Sequence, residues 1–154
     1  MKPFLLVEDD EDEAALLRLA FRKAHVPNAL RVVKSGEDAI DYLSGVGVFA
    51  DRSLYPEPGL VLLDLKLRGK GGPEVLQWIR SRPEFNLLRV VVLTSSMRTE
   101  DLERARELGA DSFLSKPMEF DGLVELSASL LRNGMYMDRS AKAGLAATTW
   151  VVEG

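Results

Sequence analysis

Val61-Leu62-Leu63-Asp64-Leu65-Lys66-Leu67 decides how the rest of the chain is read. The run is bounded by Pro56, Pro58 and Gly59 on one side and by Gly69, Gly71 and Gly72 on the other. An apolar run so punctuated suits a central parallel strand buried on both faces. Asp64 is the anomaly. A carboxylate at the end of a buried strand is costly unless a cation, hydrogen bonds or chemistry uses it, and in open α/β sheets ligands bind beyond the C-terminal strand ends. Alone, such an aspartate reads as a turn or cap residue; its companions elsewhere in the chain argue for a site.

Composition removes several alternatives. A chain of 154 residues with 46% hydrophobic content makes one domain with a real core. Its formal charge of −4 provides no general basic field for nucleic acid. There is no cysteine and a single histidine, His25, which excludes disulfides, thiolate nucleophiles and metal sites built on Cys or His. His25 ends a helix and is given no functional role. No apolar run approaches ~18 residues and no leader precedes Phe4-Leu5-Leu6-Val7, so the expected location is cytoplasmic, with no membrane partner.

Pro3 to Val7 reads as a short strand that runs into six consecutive acids, Glu8 to Glu13. Acids in the first turn of a helix, favoured by its dipole, account for Glu11, Asp12 and Glu13. Glu8 and Asp9 sit at the strand's end instead, where a neighbouring strand ending in Asp64 would gather three carboxylates. Such a cluster repels itself unless it holds a divalent cation, and hard oxygen ligands suit Mg²⁺.

Leu17, Ala20, Phe21 and Ala24 share one face of a helix from about Asp12 to Ala24. Ala29 to Val33 is a second strand, and Ser35 with Asp38 resembles a capping box opening a helix through Leu43. Gly45 to Gly59 reads as a long surface connection. Gly72-Pro73 opens a third helix; Arg89 to Thr94 is a fourth strand running into Ser95 and Ser96. Thr99 is the expected N-cap of a fourth helix that stops at Gly109. Asp111 to Leu114 is the last strand, closed by Ser115-Lys116-Pro117, and Glu119 to Arg132 the last helix. The alternation predicts an α/β, doubly wound, five-stranded parallel sheet of order 2-1-3-4-5. In that order the strand ends converge on one crevice, collecting Glu8, Asp9, Asp64, Thr94 and Lys116. The set suits phosphoryl chemistry, with Mg²⁺ and Lys116 neutralising oxygens, Thr94 donating a hydrogen bond and Asp64 as nucleophile.

Val7-Glu8-Asp9, Leu62-Leu63-Asp64, Leu93-Thr94-Ser95 and Ser115-Lys116-Pro117, at this spacing, resemble the receiver domains of bacterial two-component response regulators over residues 3–132. The resemblance implies the flavodoxin-like receiver fold for a domain of residues 1–133. It also implies that Asp64 accepts a phosphoryl group from a histidine kinase. Mg²⁺ would be held by Asp9, Asp64, the Lys66 carbonyl and, through water, Glu8. Thr94, Ser95 and Lys116 would bind the phosphoryl oxygens, Phe113 would be the rotating switch aromatic with Thr94, and the Lys116–Pro117 bond would be cis. Arg68 stands where the family usually has proline, and Gly71 where it usually has aspartate or a similar residue, which bears on the shape of the loop after Asp64.

The long Gly45–Gly59 connection and the Leu-Leu-Asp-Leu-Lys-Leu phrase look most like single-domain regulators paired with phytochrome-type sensor kinases. Residues 134–154, which include Met135-Tyr136-Met137 and Thr148-Thr149-Trp150-Val151-Val152, form a tail. It is expected to dock on its own domain or as an exchanged arm on a second subunit, in a homodimer formed through the family's fourth-helix, fifth-strand and fifth-helix face. Two other readings remain at this point. A haloacid dehalogenase-type phosphatase uses a similar Asp, Thr, Lys and Mg²⁺ set but needs a second aspartate two residues after its nucleophile, where this chain has Lys66. A receiver-like binding module would never take phosphate.

Overall fold

The structure, a computed structural model, describes residues 1–95, 98–132 and 139. Strand β1 (Phe4–Val7) leads to helix α1 (Glu11–Lys23), β2 (Leu30–Val33) and α2 (Gly36–Ser44). Strand β3 (Leu60–Leu63) then precedes α3 (Gly72–Ser81), β4 (Arg89–Thr94), α4 (Thr99–Glu107), β5 (Ser112–Ser115) and α5 (Phe120–Arg132). All strand pairings are parallel, in the order β2-β1-β3-β4-β5. The register aligns Val7 with Leu63, Leu63 with Val92, and Thr94 with Ser115, so these strands end together on one edge.

The side-chain alternation of a strand explains why β1, β3 and the middle of β4, covered on both faces, are apolar at every position. Leu5, Val7, Val61, Leu63, Val90, Val92 and Phe113 face one layer, where Tyr42, Val75, Leu76, Ile79 and Ala105 of α2, α3 and α4 meet them. Phe4, Leu6, Leu60, Leu62, Val91, Leu93 and Leu114 face the other, packed by Leu17 and Phe21 of α1 and Leu126 and Leu130 of α5. Both faces are covered, and the strand ends alone remain for chemistry.

Local differences from the sequence reading have physical causes. Strand β3 stops at Leu63, one residue before Asp64, because the Asp64 carboxylate turns the chain by accepting from the Lys66 N–H at 3.0 Å. The N-cap of α4 is Arg98, with extended backbone and no side-chain cap bond; Thr99 lies inside the first turn, and the Arg98 guanidinium pairs with Glu100 across that start. Ser35, in contrast, caps α2 as expected by accepting from the Asp38 N–H at 3.0 Å. His25, at φ 58°, takes the left-handed position after α1, so its role is backbone capping. The Lys116–Pro117 peptide is trans, not cis; trans is the ordinary isomer of such bonds.

The Gly45–Gly59 connection is more than a surface loop. It contains a 3₁₀ turn over Gly47–Phe49 and packs Phe49 and Tyr55 on Tyr42, with ring centroids 5.1–6.0 Å apart. Arg52 ties it down by donating to the carbonyls of Leu43 and Tyr55 at 2.8 and 2.9 Å. At Gly72 the start of α3 passes so close to the turn after β3 that a Cβ would lie 2.4 Å from the Asp64 carbonyl oxygen and 2.6 Å from Leu65 Cα. Only glycine allows that approach.

Candidate functional site

The six-acid run divides into three jobs. Asp10 is the N-cap of α1, its side chain accepting from the N–H groups of Asp12 and Glu13 at 2.9 and 3.1 Å. Glu11, Asp12 and Glu13 occupy the first turn, where the helix dipole favours them. Glu8 and Asp9 are left at the end of β1, beside Asp64 at the end of β3. One carboxylate oxygen from each of Glu8, Asp9 and Asp64 lies within 4.8 Å of the other two.

Lys116 leaves the end of β5 into this cluster. Its backbone N–H bonds the Thr94 carbonyl at 2.9 Å, which fixes the β5 exit against the β4 exit. Its Nζ donates to Glu8 Oε1 at 2.6 Å and Asp64 Oδ2 at 2.9 Å. Glu8 and Asp64 are 3% and 6% exposed, so these are largely desolvated, charge-assisted contacts. Burial pushes the Glu8 carboxyl up to about 6; the hydrogen bond and charge of Lys116 oppose that shift, and the charge of Asp64 adds to it. Burial works against the Lys116 ammonium, but its bonds to Glu8 and Asp64 outweigh it and hold the pKa above the ordinary lysine value. One ammonium offsets only one of the three carboxylates. Three oxygen-donor side chains with a residual negative charge are a donor set that fits a hard divalent cation.

The remaining candidates fall around this centre at different depths. Lys66 and Ser95 are exposed and line, with Asp9, Asp64 and Lys116, an open crevice of about 470 Å³. Thr94 is fully buried at the end of β4, beside that crevice. Phe113 is fully buried on β5 opposite Val92, in the layer shared with α4. Ser96 lies outside the described residues.

Two contacts at the site were not foreseen from the sequence. Glu13 reaches the same ammonium, with Oε1 3.4 Å from Lys116 Nζ. Its first-turn position explained it adequately, and no sequence signal placed Lys116 above that turn. Arg68 donates its backbone N–H to Asp9 Oδ2 at 3.2 Å, with its Nε 3.7 Å from the same oxygen. The departure from proline was the available signal, since proline has no N–H to give.

Residues 4–128 match the sequence profile of the response regulator receiver domain. The chain belongs to that family. Receiver domains act in two-component signalling, where histidine kinases phosphorylate them, so the phosphatase reading is set aside. The chain is 38% identical over 122 residues to the probable methanogenesis regulatory protein FilR2 of Methanothrix harundinacea, covering 77% of this chain and 74% of that one. The crystal structure of the Mn²⁺-bound form of response regulator Rcp1, a protein of Synechocystis sp., superposes with a TM-score of 0.74 at 30% identity. That match covers 84% of this chain and 91% of the other. The phosphorylated cyanobacterial phytochrome response regulator RcpA gives 0.76 at 31% identity, over 84% and 90% of the two chains. Among the described residues no helix is long and apolar enough to cross a membrane.

Proposed function

We propose that Asp64 is the phosphoacceptor of this receiver domain and that it takes the phosphoryl group from a histidine kinase. The observation that carries the assignment is the position of Asp64 Oδ2, 2.9 Å from Lys116 Nζ and beside Glu8 and Asp9 at the mouth of the crevice. A carboxylate oxygen of Asp64 attacks the phosphorus of the kinase phosphohistidine. The P–N bond breaks, the imidazole nitrogen leaves with the bond's electron pair, and an aspartyl phosphate forms. Lys116 exchanges its bond to Asp64 for one to a phosphoryl oxygen, and Glu8 keeps the ammonium in place. Thr94 and Ser95, at the β4 exit, donate to the remaining oxygens. The movement of Thr94 toward the phosphoryl group opens the space into which Phe113 turns.

A Mg²⁺ ion held by Asp9, Asp64, the Lys66 carbonyl and, through water, Glu8 would offset the charge of the carboxylates and of the incoming phosphoryl oxygens. That Rcp1 was solved in a Mn²⁺-bound form, together with the acidic cluster of Glu8, Asp9 and Asp64, supports a divalent cation for this chain. The likeness to RcpA supports a phytochrome-type kinase as the donor. The protein works as a cytoplasmic signalling acceptor and not as a turnover enzyme, with no nucleic acid or membrane partner. It pairs as a homodimer through α4, β5 and α5; the mixed charges of α4, Glu100, Asp101, Arg104 and Arg106, suit pairing with a second copy. The test is incubation with acetyl phosphate and Mg²⁺. One stable phosphate per chain supports the proposal; continuous release of phosphate from unrelated phosphomonoesters, or no labelling, overturns it.

A further inference from the structure

A second cavity, of about 670 Å³, lies at the opposite edge of the sheet from Asp64, among the residues that precede β1, β3 and β4. Its apolar wall is built from Trp78, Phe85, Leu87 and Leu88, with Trp78 and Phe85 rings 5.8 Å apart and Leu87 51% exposed. Lys2, Arg52 and Arg82 line it together with Glu57 and Glu84, and the Arg82 guanidinium lies 5.1 Å from the Trp78 ring centre. Nothing in phosphoryl transfer uses this groove.

Arg139, seven positions beyond the last residue of α5, is fastened at the edge of the same groove. Its N–H donates to the Leu87 carbonyl at 2.8 Å and its NH1 to the Asn86 carbonyl at 3.0 Å. Its Nε lies 3.0 Å from Asp111 Oδ1, a nearly buried carboxylate whose other oxygen takes Arg80 and the Val90 N–H at 2.9 and 2.8 Å. Three polar contacts hold Arg139 at this end of the sheet. Ten residues separate Arg139 from Trp150, a reach of up to roughly 35 Å. The radius of gyration of a domain this size is only about 14 Å, so the whole groove is within that reach. A short tether also raises the effective concentration of the attached segment into the millimolar range, which favours its own domain over a second copy.

The geometry points to residues 148–153, Thr-Thr-Trp-Val-Val-Glu, as the occupant of this groove. We propose that Trp150 packs on Trp78 and Phe85, and that Glu153 meets Lys2 and Arg82. The wall supplies aromatic and aliphatic surface for the apolar side chains, and the three cations of the lining exceed its two acids, which leaves a cation for Glu153.

The chain has two tryptophans, so the full-length protein labelled with 5-fluorotryptophan gives two ¹⁹F resonances, assigned with Trp150→Phe. The inference predicts a Trp150 resonance displaced from that of free 5-fluorotryptophan, with its H₂O/D₂O solvent shift reduced at least threefold. Leu87→Asp, at a half-exposed position, should restore the full solvent shift; Arg139→Ala, which removes the side-chain anchor, should restore part of it if Leu87→Asp does not fold. A full solvent shift in the unsubstituted chain overturns the inference. Protection that survives both substitutions overturns it too, as does protection lost on dilution in step with dimer dissociation, which would place the segment on a second copy.

Discussion

Asp64→Asn should stabilise the metal-free protein, and the structure supplies the size of the effect. The site oxygens of Glu8, Asp9 and Asp64 lie within 4.8 Å of one another, so at an effective dielectric of about 20 each pair repels by about 3.5 kcal/mol. Lys116 Nζ at 2.9 Å from Asp64 returns about 6 kcal/mol on the same scale. The two repulsions made by Asp64 exceed its one attraction by about 1 kcal/mol. The asparagine oxygen still accepts from the Lys66 N–H, its new NH₂ has the neighbouring Glu8 and Asp9 carboxylates as acceptors, and Glu8 still holds the ammonium at 2.6 Å. For a chain of this length about 1 kcal/mol is roughly 2–4 °C in Tm. Differential scanning calorimetry in EDTA and again in 10-fold steps of Mg²⁺ measures it: the variant melts higher without metal, and the order narrows or reverses as Mg²⁺ binds the wild type better. A variant that melts lower than wild type in EDTA would show that the Lys116 pair outweighs the crowding and refute the reasoning.

Lys66→Asn should speed loss of the phosphoryl group, because the exposed Lys66 ammonium borders the crevice and can pair with phosphoryl oxygens on the path of the attacking water; a tenfold faster decay corresponds to about 1.4 kcal/mol of barrier, and a decay equal to or slower than wild type would remove this role. Gly72→Ala should destabilise the fold by about 1–3 kcal/mol in urea melts and slow phosphorylation, since its Cβ would lie 2.4 Å from the Asp64 carbonyl oxygen. Arg68→Pro should weaken Mg²⁺ binding about fivefold by calorimetric titration, through loss of one N–H bond to Asp9, whereas Arg68→Ala keeps that N–H and should stay near wild type. Glu8 in the folded chain titrates at about 6 against an ordinary 4.5, so between those values the folded state binds more protons than the unfolded one, and metal-free stability should fall as pH rises through that window, by up to about 2 kcal/mol. Glu8→Gln should flatten that slope in denaturant melts.

The sheet was legible because its central strands are buried on both faces, so hydrophobic run, turn residues and strand-end acids coincide at Leu62-Leu63-Asp64 and Leu6-Val7-Glu8. Order and register then brought Glu8, Asp9, Asp64 and Lys116 together from strand ends far apart in sequence. What stayed hidden depends on side chains reaching across elements. Glu13 looks like any first-turn acid until Lys116 is placed above it. Tyr42, Phe49 and Tyr55 carry no period that marks them as one packed cluster. The start of α4 shows the limit of cap preferences: Thr99 is the better capping side chain, yet the backbone turns at Arg98. The cis Lys116–Pro117 bond came from resemblance, not from the residues, and the structure has it trans. The expected docking segment, Thr148 to Val152, lies outside the described residues; Arg139, which fastens the chain at Leu87, gave no signal in sequence.

The central claim is that Asp64, and no neighbouring acid, carries the phosphoryl group. Phosphorylation by acetyl phosphate with Mg²⁺, reduction of the acyl phosphate with borohydride and peptide mass spectrometry locate it directly. The account predicts a single reduced residue at Asp64, no product in EDTA and none in Asp64→Asn. Reduction at Glu8, Asp9 or Glu13 in the wild type, or stoichiometric labelling of the variant, would contradict it.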